Sequence, residues 1–333
     1  MIKIIKPGML TTVQDLGRSG YQKYGVVQSG AMDAFAHRVA NLLAGNPENE
    51  ATLEITLTGP VLEFQNDTLI AICGSGFHAV LDGKPVGLWR PVKVKSGSEL
   101  RLKQGGTGCR VYLAVAGGIS VPEVLKSKST YLRARIGGFN GRALQAGDVL
   151  ETGTPGEVSR QLAASLEYPP AWSVSKNMLP DYSPFPTIRA IPGRHHDLFA
   201  AESIETFFHE PYRLSQNSDR MGYRLEGPKL AVKAAQEMLS ESVSFGTIQV
   251  PSGGEPIVLL ADRQTTGGYP KIAQVAFVDL PLLAQLKPGD KLRFKKITLQ
   301  EAQLLYIERE KQIRMLKGTI AYQAKRRGTH AEH

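Results

Sequence analysis

Apolar residues recur with a period of two along much of the chain, the pattern of half-buried strands. Residues 52–57, Thr-Leu-Glu-Ile-Thr-Leu, show it most clearly. Residues 2–6, 61–64, 68–73, 78–81, 92–94, 100–102 and 111–116 are further short apolar runs. Asp82-Gly83 is a hairpin signal between two of them. Helical spacing is confined to a few places. Met32, Phe35, Ala36, Val39, Leu42 and Leu43 form one stripe. Ser29 is its expected N-cap, Asp33 lies in its first turn, and Gly45 with Asn46-Pro47 stops it. His37 rides on this helix, as a packing or solvent-facing residue or as a catalytic one. A short helix is expected from Val121, with Pro122 near its start. A last helix opens on the capping-box spacing Thr298 to Glu301, carries Ala302, Leu305, Tyr306, Ile313 and Leu316, and ends at Gly318. Many short strands joined by Gly-rich turns predict a mainly β protein with a few helices, built as closed barrels or sandwiches.

A set of motifs occurs twice in the same order. Residues 187–193 echo residues 2–8, residues 218–222 echo 29–33, and residues 226–228 echo 58–60. Residues 278–283 and 286–292 echo 119–124 and 144–150. Two related β domains are therefore expected, the second shorter than the first. Between them, residues 151–186 hold six of the 20 prolines, which marks a connector. The expected organisation is a first barrel domain over 1–150, a Pro-rich connector over 151–186 and a second barrel over 187–297. A closing helix over 298–318 and a basic tail over 319–333 complete it.

Composition narrows the class. Of the 333 residues, 42% are hydrophobic and 21% charged, which suits a soluble globular chain. No apolar run approaches the roughly 20 residues of a membrane helix. The first residues read as a strand and a Pro7-Gly8 turn, not as a signal peptide, so a cytoplasmic location is expected. Cys73 and Cys109 lie in or beside apolar runs and are expected as reduced core thiols. The net charge is +9, but seven cations against two anions in residues 309–333 supply +5 of it. The body is then only mildly basic, a weak argument for nucleic acid. A solvated tail, or one that docks on an acidic partner, accounts for the rest.

The polar loops carry the candidate chemistry. No Walker-type phosphate loop and no Gly-x-Ser-x-Gly nucleophile elbow occurs. His195-His196-Asp197 is the densest metal-like cluster, yet it lacks a second pair at ligand spacing, and no metal is expected. Met315-Leu316-Lys317 is not a biotin-attachment turn, which places lysine between two methionines. The loops 14–33, 137–142, 218–224 and 262–271 remain. In the last, Gly267 and Gly268 are expected to turn with positive φ, converging successive N–H groups on an anion or a polarised carbonyl. Arg263 and Lys271 would flank that point. Arg18, Arg220 and Arg263 can each grip a carboxylate, and Asp15, Asp33, Asp219 and Asp262 can orient them or act as bases. The alternative for each Arg–Asp neighbour is an ion pair that merely braces a loop, and for 262–271 a polar hairpin turn.

Residues 5–20, 27–33, 218–227 and 262–270, read in order, resemble the signatures of the biotin-dependent carboxyltransferase, or allophanate hydrolase subunit 2, family. The resemblance spans about residues 2–318. Within that family the chain is most similar to the members that serve as the C-type subunit of bacterial 5-oxoprolinase, known also as antagonists of a sporulation-kinase inhibitor. The resemblance implies two cyclophilin-like β-barrel domains related by duplication. It also implies two partners, the B-type subunit of 5-oxoprolinase (a kinase-inhibitor-like protein) and the A-type subunit. Together the three would open 5-oxo-L-proline to L-glutamate with ATP. Arg18, Asp33, Arg220, Arg263, Gln264, Thr265 and Tyr269 are then the expected catalytic lining. Asp15, Gly30, Met32, Met221, Gly222, Thr266, Gly267, Gly268 and Lys271 would line the substrate. ATP would be used by the complex, and this chain alone would be inactive. Two other readings stay open. One is a carboxyltransferase subunit of a biotin-dependent urea or amide carboxylase. The other is a regulatory protein that binds and neutralises a histidine-kinase inhibitor.

Overall fold

The alternating segments form strands. In the computed structural model, which describes residues 1–166, 172–234 and 238–328, the chain divides into two units. The first comprises Met1–Gly17, Asp33–Pro180 and the described part of Glu310–His333; the second comprises Arg18–Met32 and Asp181–Arg309. The units are thus interleaved in sequence, not the consecutive blocks expected.

The first unit holds β1 (Ile2–Lys6), β2 (Leu10–Gln14), β3 (Thr52–Thr56), β4 (Val61–Phe64), β5 (Thr68–Ser75) and β6 (Phe77–Leu81). It continues with β7 (Lys84–Val86), β8 (Pro91–Val94), β9 (Glu99–Gln104), β10 (Arg110–Val115), β11 (Ile119–Ser120) and β12 (Val149–Thr152). Its helices are α1 (Ala34–Leu43) and α2 (Glu157–Ser165). The strands make a seven-stranded sheet, β11-β12-β1-β4-β9-β6-β7, and a five-stranded sheet, β2-β3-β10-β5-β8. One core joins them: Ile2, Ile4, Leu62 and Leu100 from the first meet Leu53, Ile55, Ile72 and Val111 from the second. Because Leu53 and Ile55 face that core, Thr52, Glu54 and Thr56 face the other side of the sheet. There α1 packs on β5 and β10, which is why β3 and β10 are buried at every position.

The second unit holds β13 (Thr187–Pro192), α3 (Ala201–His209), β14 (Tyr212–Leu214), β15 (Gly222–Glu226), β16 (Glu241–Ser242), β17 (Thr247–Gln249), β18 (Ile257–Leu259), β19 (Thr266–Gly267) and β20 (Lys271–Val275). Helix α4 (Leu280–Ala284) and strand β21 (Lys291–Lys296) follow. Seven of these strands close a barrel, β13-β20-β17-β18-β15-β14-β21, through the parallel pair β13–β21. Its interior is packed with side chains. Phe207 stacks on Phe294 at 4.5 Å between centroids, and Tyr212 and Phe199 are fully enclosed beside them.

Strand pairing reproduces the doubled motif order only in part. The antiparallel pairs β2–β3 and β14–β15 each run on into a Gly-Pro, at 59–60 and 227–228. The strands after the two Gly-Asp turns differ, however: β12 is antiparallel to β1, whereas β21 is parallel to β13.

Four local expectations change. Asp33, not Ser29, caps α1, because its Oδ1 accepts from the Ala36 N–H at 2.8 Å. No helix forms at 121–125; the following backbone is drawn onto Asp15 instead, with Leu125 and Lys126 at left-handed φ of 54° and 59°. Helix α5 (Leu299–Gly328) passes through Gly318. Glycine costs a helix about 1 kcal/mol, which the burial of Ile313, Leu316, Ile320 and Ala324 on one stripe offsets. The connector region carries the end of β12 and α2, and its Pro184 and Pro186 carbonyls accept from the Lys291 and Arg293 N–H groups. Pro169, Pro170, residues 329–333 and the side chains of Arg326 and Arg327 lie outside the described residues.

Candidate functional site

Three of the expected loops meet in the second unit. The 262–271 loop leaves β18 and is fixed at once: Asp262 N–H donates to the Arg220 carbonyl at 2.9 Å. The Arg220 guanidinium returns the contact, with Nε 2.9 Å from Asp262 Oδ2 and Nη2 3.2 Å from Oδ1. The same Nη2 donates to the Gly30 carbonyl at 2.6 Å, and the Ser29 hydroxyl donates to Asp262 Oδ1 at 2.7 Å. Ser29 and Gly30 reach these partners by consecutive left-handed φ of 56° and 97°. Segments 28–30, 220 and 262 are thereby tied through one buried ion pair. Breaking such a pair from one side typically costs about 3–5 kcal/mol.

A second node lies at the far end of the loop. Strand β19 pairs with β16, placing Glu241 opposite Gly267. Lys271 Nζ donates to the Gly267 carbonyl at 3.2 Å and faces Glu241 Oε2 at 3.6 Å. His195 Nδ1 accepts from the Lys271 backbone N–H at 3.3 Å, which leaves Nε2 as the protonated nitrogen, 3.8 Å from Glu241. Burial and the neighbouring Lys271 lower the His195 pKa. Lys271 thus braces the turn.

Between the nodes sits Arg263. Its Nε, Nη1 and Nη2 donate to the Val243 carbonyl (3.4 Å), the Leu260 carbonyl (3.2 Å) and Gln28 Oε1 (3.2 Å). All three acceptors are neutral. Burial without a carboxylate pulls its pKa down to about 10, so it stays charged at neutral pH. Gln264, Thr266 and Tyr269 beyond it are exposed, and Thr265 accepts from Val243 N–H through its carbonyl.

Gly267 and Gly268 depart from expectation, since neither has positive φ. Gly267 lies in β19, where successive N–H groups point to opposite sides, so the pair forms no converging anion nest. The reason for glycine is room: a Cβ at 267 would overlap Gln249 Nε2. Arg18 is fully buried in the same unit, where its N–H donates to Gln28 O. Met32 belongs to the barrel core, and Met221 and Gly222 run from an Asp219 turn into β15.

Asp15 and Asp33 belong to the first unit and are held there by other groups. Asp15 accepts from Gly17 N–H (2.8 Å), Ser127 Oγ (2.7 Å), Lys128 N–H (2.6 Å) and Ser129 Oγ. These donors occupy the carboxylate oxygens and fix Asp15 as a brace of the 127–129 backbone. Loop 137–142 also lies in this unit, where Arg142 forks onto Asp148. Sequence reasoning misses a buried polar layer under α1. Asp33 N–H donates to Tyr112 Oη (2.8 Å), which donates to Glu54 Oε2 (2.7 Å), beside the His37–Thr52 contact (2.9 Å). Its signal is the i, i+4, i+8 spacing of Asp33, His37 and Asn41 over Thr52 and Glu54. Cys73 and Cys109 are both buried and in no disulfide, and among the described residues no His/Cys/Asp/Glu group is placed to hold a metal. No helix among them is long and apolar enough to cross a membrane.

A two-unit, mainly β chain with arginine-bearing loops tied to a closed barrel has the form of a carboxyltransferase-type domain. The pattern of the carboxyltransferase domain, subdomain A and B, matches residues 24–296, and the chain belongs to that family. It is similar to the C-type subunit of 5-oxoprolinase from Haemophilus influenzae, 40% identical over 305 residues, and from Escherichia coli, 42% identical over 302. Each alignment covers 91% of this chain and 93% of the relative. In three dimensions it is similar to urea amidolyase of K. lactis (TM-score 0.86, 35% identity), which matches 95% of this chain but in which the chain spans only 20% of the length.

Proposed function

We propose that this chain is the C-type subunit of an ATP-dependent 5-oxoprolinase complex, acting in the cytoplasm with A-type and B-type partner subunits to convert 5-oxo-L-proline to L-glutamate. The observation that carries the reading is the end-to-end likeness, 40–42% identity across 93% of two relatives of that name. The reaction adds water across the lactam C–N bond, hydroxyl to carbon and proton to nitrogen. A lactam carbonyl is resonance-stabilised, so at neutral pH the step is coupled to cleavage of ATP to ADP and phosphate by a second water. This chain contributes the loop system of Arg220, Asp262 and Arg263, which holds and orients a ligand; ATP is handled by the complex, and the chain alone is inactive. The test mixes the three subunits with ATP and 5-oxoproline and follows glutamate. Turnover is expected only in the full mixture; equal glutamate without this chain would overturn the reading.

The likeness to urea amidolyase favours a second reading, a carboxyltransferase subunit fed by a biotin carrier on another chain. Bicarbonate- and biotin-dependent carboxylation of an amide, in place of glutamate formation, would select it. Tight binding of a histidine-kinase inhibitor without either turnover would select a regulatory role.

A further inference from the structure

Among the described residues, the charges of the 262–271 loop balance except at one place. Asp262 is matched by Arg220, and Lys271 by Glu241. Arg263 is only 8% exposed, yet its three hydrogen-bond acceptors are two backbone carbonyls and an amide oxygen. Burying a cation without an anion is costly, and a loop that keeps one is built for an anion that comes and goes. The donor arithmetic shows the shape of that anion. A guanidinium has five N–H groups. Val243 takes the one on Nε, Leu260 takes one on Nη1, and Gln28 takes one on Nη2. Two remain, one on each terminal nitrogen, enough donors for the two oxygens of a carboxylate. The face of the guanidinium lies over Phe245, 5.9 Å from the ring centroid, which leaves the edge for the ligand.

We infer that Arg263 is the carboxylate anchor of this chain, gripping a small lactam acid by its acid group and leaving the ring amide free for attack. The ring's identity rests on the 5-oxoprolinase reading; the carboxylate does not. Gln28, whose Oε1 fixes Nη2, is a positioning residue for the fork. Bound carboxylate supplies the charge that the loop lacks, so binding also steadies the protein.

The experiment titrates the full chain, alone and with its partner subunits, with 5-oxo-L-proline and with 2-pyrrolidinone, the same lactam without the acid. Calorimetry or ligand-observed NMR reads the affinity. Wild type is expected to prefer 5-oxoproline by roughly 10- to 100-fold, the worth of a charge-assisted pair of hydrogen bonds. Arg263→Met is expected to erase the preference, so that both ligands bind alike, with near-ultraviolet circular dichroism unchanged. Arg263→Lys, which keeps the charge but not the fork, is expected to recover part of it. Absence of any preference in wild type, or an Arg263→Met protein that keeps it, overturns the anchor. The outcomes separate the two claims. Arg263-dependent carboxylate binding without turnover by the mixed subunits sinks the 5-oxoprolinase reading and leaves the anchor standing. Normal turnover with an unchanged KM in Arg263→Met sinks the anchor alone.

Discussion

His37 shows how one enclosed group sets a pH response. It lies in the polar layer under α1, where Asn41 Nδ2 faces its Nε2 at 3.3 Å and Thr52 Oγ1 its Nδ1 at 2.9 Å. Burial lowers its pKa from 6.5 to about 4. Between those values the unfolded chain binds a proton that the folded chain refuses. The stability tied to His37 is thus complete above pH 6.5 and is lost as pH falls towards 4, by on the order of 3 kcal/mol. His37→Gln should flatten the stability curve between pH 6.5 and 4 in denaturant titrations, and an unchanged slope would remove His37 from the account. At this scale the sequence marks the reactive side chains but not their assignments. Ser29 has the look of a cap, yet its hydroxyl is taken by Asp262, 233 positions away, and Asp33 caps in its place. Asp15 has the look of a base, and it is spent on Ser127, Lys128 and Ser129.

Elements are where glycine acquires its meaning. The pair Gly267-Gly268 suggests a flexible turn, but β19 is extended and paired with β16. A Cβ there would press on the far end of the Gln249 side chain, which is buried below it. Gly267→Ala should therefore destabilise the protein by about 1 kcal/mol, the low end of overpacking costs, because the end of the Gln249 side chain can give way. Combined with Gln249→Ala, the double variant should be more stable than the sum of the two single effects, because the shortened side chain opens the space. Strictly additive denaturation energies would show that the two positions do not collide. Strand periods in this chain are legible since alternation is local; β3 and β4 fall where the apolar runs predict them. The length of α5 is not legible, because what carries it past Gly318 is burial of Ile320 and Ala324.

At the scale of the whole molecule, the family likeness implies an assembly. When expressed with the B-type partner of 5-oxoprolinase, the chain should copurify with it in a fixed ratio through size exclusion; elution as separate species at micromolar concentration would count against the assembly. The mainly β class, the strands of the clearest apolar runs, the arginine-bearing loops and the family were legible in the sequence, since each is a matter of neighbours along the chain. Which loops share a site was decided only by the tertiary structure. Segment Arg18–Met32 joins the second unit although it is flanked by the first, and so gives Gln28, Ser29 and Gly30 to Arg263, Asp262 and Arg220. No local periodicity encodes that exchange. It is fixed by a buried ion pair and a buried cation whose neutral partners at 28–30 lie about two hundred residues away, and only folding brings such groups within reach of each other.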